Sequence, residues 1–236
     1  MVQQNKGKIF LAEERGLNQM EWFRSYNTFN FGRYQQEHKT PFGPLYVLND
    51  DTLAGGESIS MTVEADSEIL LVPVVGAISY NDSRGNSMII EAGECQLYAT
   101  PKNTTIHIGN LYKDELINFL QIWFYRSAIE EDLGPQLIPF DIVNYKNQVV
   151  PIPAGSSSYK YAIGKYAGRE ESIYHLQNAG NGLFVFVIQG AFEVQYRLLH
   201  ARDGLALWEA NEVEWEALSN DAILLVMEMP LLNVEY

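Results

Sequence analysis

Short runs rich in Val, Ile, Phe and Tyr recur along the whole chain, and most are closed off by a turn signal. Ser58–Val63, Glu68–Val75, Leu116–Phe124, Leu183–Gln189 and Ala222–Met229 are the clearest. Between such runs stand Asn49-Asp50-Asp51, Gly55-Gly56, Asp82-Ser83-Arg84-Gly85-Asn86 and Ala201-Arg202-Asp203-Gly204. β-Branched and aromatic side chains suit the pleated surface of a sheet, whereas Gly, Asn and Asp tolerate the backbone that reverses a chain. Strands at this spacing predict an all-β barrel or sandwich, not alternating βα units. One stretch, Arg126–Leu133 with its Glu130-Glu131-Asp132 cluster, reads as a short helix.

The two halves echo one another. Val74-Val75-Gly76-Ala77-Ile78 returns in outline as Ile188-Gln189-Gly190-Ala191-Phe192, and Gly93–Tyr98 as Arg202–Leu207. A duplicated β-unit explains both. Pro135, Pro139, Pro151 and Pro153 crowd between the halves. They predict an N-terminal domain over 1–126, a linker with short helices over 127–153 and a C-terminal domain over 154–236.

Composition narrows the function classes. Hydrophobic residues make up 47% of the chain, enough for packed cores, and the net charge is −14. Such a charge repels nucleic acid and anionic membrane surfaces, so neither is an expected partner. The first residues, MVQQNKGKIFLAEERG, hold no apolar run of the kind a secretory leader needs, and the single Cys95 allows no intrachain disulfide. A cytoplasmic protein is expected. Cys95 has no adjacent Lys, Arg or His and reads as a small buried hydrophobe. No Gly-x-Ser-x-Gly, phosphate loop or dinucleotide fingerprint is present.

The N-terminal half resembles the pirin family of two-domain cupins. The resemblance is carried by Glu14-Arg15-Gly16, the run Trp22–Gly32, Phe42-Gly43, Val47-Leu48-Asn49-Asp50-Asp51, Gly76-Ala77, Asp82-Ser83-x-Gly85-Asn86, Gly93-Glu94-x-Gln96 and Leu120-Gln121-Ile122-Trp123. The C-terminal half matches more loosely, ending in Leu224-Leu225…Met229-Pro230. The resemblance implies a bicupin, two jelly-roll-like β-barrel domains in one chain. It also implies one metal ion, often iron, inside the N-terminal barrel, held by a His-x-His and a His-x-Glu. Some bacterial members are quercetin dioxygenases; others act through protein partners.

This sequence departs from that ligand set. Aligned on Gly56, Glu68 and Gly76, the His-x-His falls on Thr62-Val63-Glu64; aligned on Gly93–Gln96 and Asn110, the His-x-Glu falls on Ile106-His107-Ile108. Of the four histidines, His38, His107, His175 and His200, none stands at a ligand position. The family register puts the polar face of Ser58, Ser60, Thr62 and Glu64 inside the barrel. Glu64 there admits two readings, a pocket carboxylate that binds ligand or moves a proton, or a solvated group at the mouth. Ile106 and Ile108 either fill the volume a metal would occupy or line a dry pocket. If they point inward, His107 points out, because strand side chains alternate.

The expectation is therefore a pirin-like bicupin without a metal or other cofactor and without catalytic residues. It would bind a small molecule or a protein through Thr62, Glu64, Ile106 and Ile108, as a monomer. The alternative is a quercetin 2,3-dioxygenase-like enzyme holding iron or another divalent metal.

Overall fold

The computed structural model describes residues 5–126, 134–154 and 157–231. Strand β1 (Lys6–Phe10) and one 3-10 turn (Ala12–Glu14) come first. Then follow β2 (Gly16–Gln19), β3 (Phe23–Asn27), β4 (Leu45–Leu53), β5 (Ser58–Thr62), β6 (Ser67–Val75), β7 (Ala77–Asp82), β8 (Ser87–Glu91), β9 (Glu94–Thr100), β10 (Thr105–Asn110), β11 (Ile117–Tyr125) and β12 (Gln136–Pro139). The remainder is β13 (Val149–Ile152), β14 (Lys160–Tyr166), β15 (Glu171–His175), β16 (Asn181–Gln189), β17 (Ala191–Val194), β18 (Arg197–His200), β19 (Gly204–Trp208), β20 (Glu212–Ala217) and β21 (Ala222–Pro230).

Two compact units result. One is Arg15–Pro139; the other joins Met1–Glu14 to Phe140–Tyr236. In the first unit a seven-stranded sheet, β12-β9-β6-β11-β4-β3-β2, faces a four-stranded one, β5-β10-β7-β8. In the second, β1-β19-β16-β21-β14-β13 faces β15-β20-β17-β18. Each unit is a jelly-roll-like pair of facing sheets, not a closed barrel. Each core is filled from both sheets: Ile69, Leu71, Phe119 and Trp123 meet Ile78, Ile90, Ile106 and Ile108 in the first, and Val185, Leu205 and Val226 meet Phe192, Val213 and Trp215 in the second.

The duplication is visible strand by strand, since β4 to β11 recur as β14 to β21 in the same pairing order. Gly76 and Gly190 hold the same corner, with φ of 81° and 79°. Each follows an irregular step in register, next to Phe119 in one unit and at Val187–Gln189 in the other. A left-handed residue without a Cβ turns the chain from the large sheet into the small one. Strand β1 takes the edge beside β19 that β12 takes beside β9, so the beginning of the chain folds into the second unit.

Two expectations are corrected. The described part of the expected linker, 134–153, carries strands β12 and β13, not helices. Pro139 and Pro151 fit because both are on edge strands, where a missing N–H costs no ladder bond. The helix expected over Arg126–Leu133 falls on 127–133, outside the described residues. Asn49-Asp50-Asp51, read as a turn, lies in the middle of β4, paired with Gln121, Leu120 and Phe119 of β11. Polar side chains that often make turns are here accepted by a strand flanked on both sides.

Candidate functional site

The expected ligand positions do not share a face. Strand β5 pairs with β10 so that Met61 stands opposite Ile106 and Ile59 opposite Ile108. Directly opposed residues point the same way. Ile59, Val63, Ile106 and Ile108 accordingly lie in the core, the last two wholly buried. Thr62 and Glu64 are on the exposed face. The inward polar face expected for β5 is thus overturned: a register shift of one residue exchanges every side chain between faces, and the apolar row wins the interior. Thr62 Oγ1 lies 3.4 Å from Thr105 Oγ1, and Ser60 Oγ lies 2.6 Å from His107 Nδ1 on the same outer face. His175 and His200 are exposed as well, 3.4 Å from Glu212 and 3.8 Å from Asp203.

These residues do not fit the metal that the resemblance implies. The inward residues of β5 and β10 are Ile59, Met61, Ile106, Ile108 and Asn110. Of these only the Met61 thioether and the Asn110 amide have lone pairs, and Asn110 is engaged with the Leu53 and Glu115 carbonyl oxygens and the Tyr112 N–H. Iron and similar divalent ions take imidazole and carboxylate ligands. Among the described residues no cluster of three or more His, Cys, Asp or Glu could hold a metal ion. Cys95 is wholly buried, its Sγ 3.6 Å from the Ile138 carbonyl oxygen, and burial pushes its thiol up to about 12. It is a packing residue.

A different set of residues converges on the interior of the first unit. A cavity of about 490 Å³ has apolar walls from Met20, Trp22, Phe23, Phe31, Ile59 and Met61, with Ser25, Asp51 and Gln121 also lining it. The exposed Gln19, Arg33, Ser58 and Ser60 stand at its mouth. On β4 the alternation places Val47, Asn49, Asp51 and Leu53 on one face, and Val47 and Leu53 are core residues. On β11 it places Phe119, Gln121 and Trp123 inward in the same way. Pairing then forms two polar rows across the sheet. Asn18, Ser25 and Asp51 stand opposite one another on β2, β3 and β4; Asn27, Asn49 and Gln121 do so on β3, β4 and β11.

Asp51 is 0% exposed. Its Oδ2 accepts a 2.5 Å hydrogen bond from Gln121 Nε2, while its Oδ1 has no hydrogen-bond partner among the described residues. Burial pushes its carboxyl up to about 7; Ser25 and Gln121 pull the other way, and the neighbouring Asp50 charge adds to the rise. Ser25 Oγ accepts from Asn27 Nδ2 at 2.9 Å, which leaves its own proton to lean toward Asp51. Gln121 Oε1, both amide atoms of Asn49 and of Gln96, and Trp123 Nε1 are also buried without partners. Each such group costs about 1–3 kcal/mol in a dry interior.

The fold does not demand this polarity. By the pairing of β6 with β11 and β16 with β21, the second unit has Val226 where the first has Gln121; along the same rows Ala162 and Gly164 replace Asn49 and Asp51, and Leu205 replaces Gln96. Those positions pack as ordinary core. Sequence reasoning used Ser25 and Gln121 only as marks of resemblance, and Asn49 and Asp51 as such and as part of a turn signal. The signal that would have found them is a polar residue at an alternate position between apolar ones, as in Val47-x-Asn49-x-Asp51-x-Leu53 and Phe119-x-Gln121-x-Trp123.

Comparison with known proteins agrees with the architecture. The Pirin family model matches residues 11–124, and the quercetinase C-terminal cupin domain matches 160–229. The chain belongs to the pirin family. It is 27% identical over 225 residues to a quercetin 2,3-dioxygenase of Escherichia coli K12, covering 91% of this chain and 95% of that one. To the pirin-like protein YhaK of Escherichia coli O157:H7 it is 31% identical over 145 residues, 61% of each chain. The crystal structure of YhhW from Escherichia coli superposes with a TM-score of 0.85 at 21% identity, over 98% of this chain and all of that one. This pirin-family chain therefore has the family's fold in both units, and no helix among its described residues is long and apolar enough to cross a membrane.

Proposed function

We propose that this pirin-family bicupin binds a small organic molecule in the cavity of its first cupin, without a metal and without catalysing a reaction. The observation that carries the reading is Asp51, wholly buried at a cavity of about 490 Å³ with one carboxylate oxygen unpartnered. A volume of that size with apolar walls and few polar groups suits a small ligand. The second cupin, apolar at the corresponding rows, supports a role for the polarity beyond folding. Ile106 and Ile108 at the positions where a His-x-Glu pair would stand support the absence of a metal. The protein works in the cytoplasm; its single, buried cysteine fits a reducing compartment.

The competing reading is metal-dependent quercetin 2,3-dioxygenase activity. It is favoured by the Escherichia coli relative of that name, which aligns over nearly its full length. The two readings separate on untagged protein purified without chelators. Metal at background level by plasma mass spectrometry, with no oxygen uptake in the presence of a flavonol, is the expected result. Near-stoichiometric iron, nickel, copper or manganese together with oxygen uptake would overturn the proposal. Met61→Trp, which fills the cavity from its wall, is expected to abolish small-molecule binding while the protein stays folded.

A further inference from the structure

We infer that the first-cupin cavity is selective for an organic cation, an amidinium, ammonium or protonated azaheterocycle on an apolar body, whose charge is met by Asp51. The inference rests on the reading that this cavity binds a small molecule, and it adds the ligand's chemical class. Three observations converge on it.

First, Asp51 has no counter-ion beside it among the described residues. The groups facing it are Ser25 and Asn18 from the β3 and β2 rows, Phe119 and Gln121 of β11, and Asn49 along its own strand. None of these is basic. The nearby guanidinium of Arg15 belongs to the opposite face of β4, where it pairs with Asp50 at 3.1 Å. Arg24 alternates with Ser25 onto that face as well, with its guanidinium 5.5 Å from the Tyr26 ring centroid. Arg33 stands at the mouth and is exposed. A buried carboxylate with an unpartnered oxygen is costly until a cation or a donor reaches it. Burial raises its carboxyl to about 7, so it ionises readily just above neutrality.

Second, the walls carry Trp22, Phe23 and Phe31. Aromatic faces attract a desolvated cation and tolerate its apolar body. Third, two acceptors are buried at the cavity without a donor among the described residues. Asp51 Oδ1 and Gln121 Oε1 are both unpartnered, while the one Gln121 N–H known to be engaged is spent on Asp51. An anionic ligand would place a second negative charge against Asp51, and a net charge of −14 opposes its approach.

The test uses three near-isosteric probes on the full chain at about pH 8.5: benzamidinium, neutral benzamide and anionic benzoate. We expect benzamidinium to bind at least about tenfold more tightly than benzamide by calorimetry, and benzoate not to bind. Asp51→Asn should weaken benzamidinium at least about tenfold and weaken benzamide far less, so that the preference for the cation is lost. On the unaltered protein, benzamidinium should weaken as pH falls to about 5.5, because protons compete for Asp51. This second readout holds even if the Asn variant does not fold. Equal or tighter binding of benzamide or benzoate, sensitive to Met61→Trp, sinks the cation inference and leaves the cavity reading standing. If none of the three binds up to millimolar concentration and Met61→Trp changes nothing, both fail.

Discussion

Asp50 and Asp51 are neighbours in the chain, yet their carboxylates lie on opposite faces of β4, and among the described residues only Asp50 is paired with a cation. Arg15 Nη1 is 3.1 Å from Asp50 Oδ2, with the two side chains 6% and 9% exposed, and the same guanidinium lies over the Tyr26 ring at 4.7 Å. Asn118 Nδ2 donates to Asp50 Oδ1 at 2.7 Å. Asp50 is therefore a fully supported structural carboxylate. Asp51, one residue on, has only the neutral Gln121 and Ser25 side chains and a cavity beside it.

That difference predicts opposite responses to substitution. Arg15→Ala should strand Asp50 without its counter-ion and cost about 3–5 kcal/mol, the range for breaking one side of a buried pair. Chemical denaturation measures it. Replacing both partners, as in Arg15→Met with Asp50→Leu, should recover a large part of the loss, because no uncompensated charge remains.

Asp51→Asn should stabilise the protein at high pH. The folded carboxyl titrates near 7 and an unfolded Asp near 4, so between those values the unfolded chain has released a proton that the folded chain keeps. Stability accordingly falls as pH rises through that window, by up to about 4 kcal/mol, and stays low above it. Thermal melts at about pH 8 should show the Asn variant above the parent, with the margin shrinking toward about pH 5. A margin independent of pH would contradict the assignment. Retaining a destabilising carboxylate is the usual mark of a group kept for function.

The orientation of β5 can be tested by building a metal site. Met61→His with Ile106→His and Ile108→Glu places three donors on inward positions, since Met61 opposes Ile106. This variant should bind nickel(II) in a calorimetric titration. Thr62→His with Glu64→His and the same β10 changes should bind it far more weakly, because Thr62 and Glu64 lie on the exposed face. Tight binding by the second variant alone would show that the strand faces the other way.

In the second cupin Glu228 is a contrast to Asp51. It is 1% exposed and accepts hydrogen bonds from Tyr174 Oη at 2.8 Å, Gln177 N at 2.8 Å and Asn181 Nδ2 at 2.6 Å. Glu228→Leu should orphan these donors, cost about 3 kcal/mol or more, and speed amide exchange at Gln177. Exchange at Gln177 unchanged from the parent would mean that the carboxylate does not hold that loop.

Much of the fold was legible in the residues. The short apolar runs Leu183–Gln189 and Ala222–Met229 between turn signals identified strands, the Gly76 and Gly190 corners revealed the duplication, and the motifs around Trp22–Gly32 and Leu120–Trp123 pointed to the pirin family. The site was not legible in the same way. Asn49-Asp50-Asp51 carries polar residues that favour turns when isolated, and only the flanking strands β3 and β11, distant in sequence, hold it extended.

The amino-acid sequence by itself determined that, along the strand it predicts over Ser58–Val63, Ser60 and Thr62 must face away from Met61 and Val63, because the side-chain period of a strand is two. It did not determine which of the two rows looks inward. That choice belongs to the tertiary structure, through the register of β5 on β10. Moving β5 by one residue would exchange a buried apolar row for a solvated polar one, and the free energy of burying Ile59 and Val63 decides it. In β4 it is the pairing with β3 and β11 that keeps the segment extended, so that Asp50 and Asp51 face opposite ways.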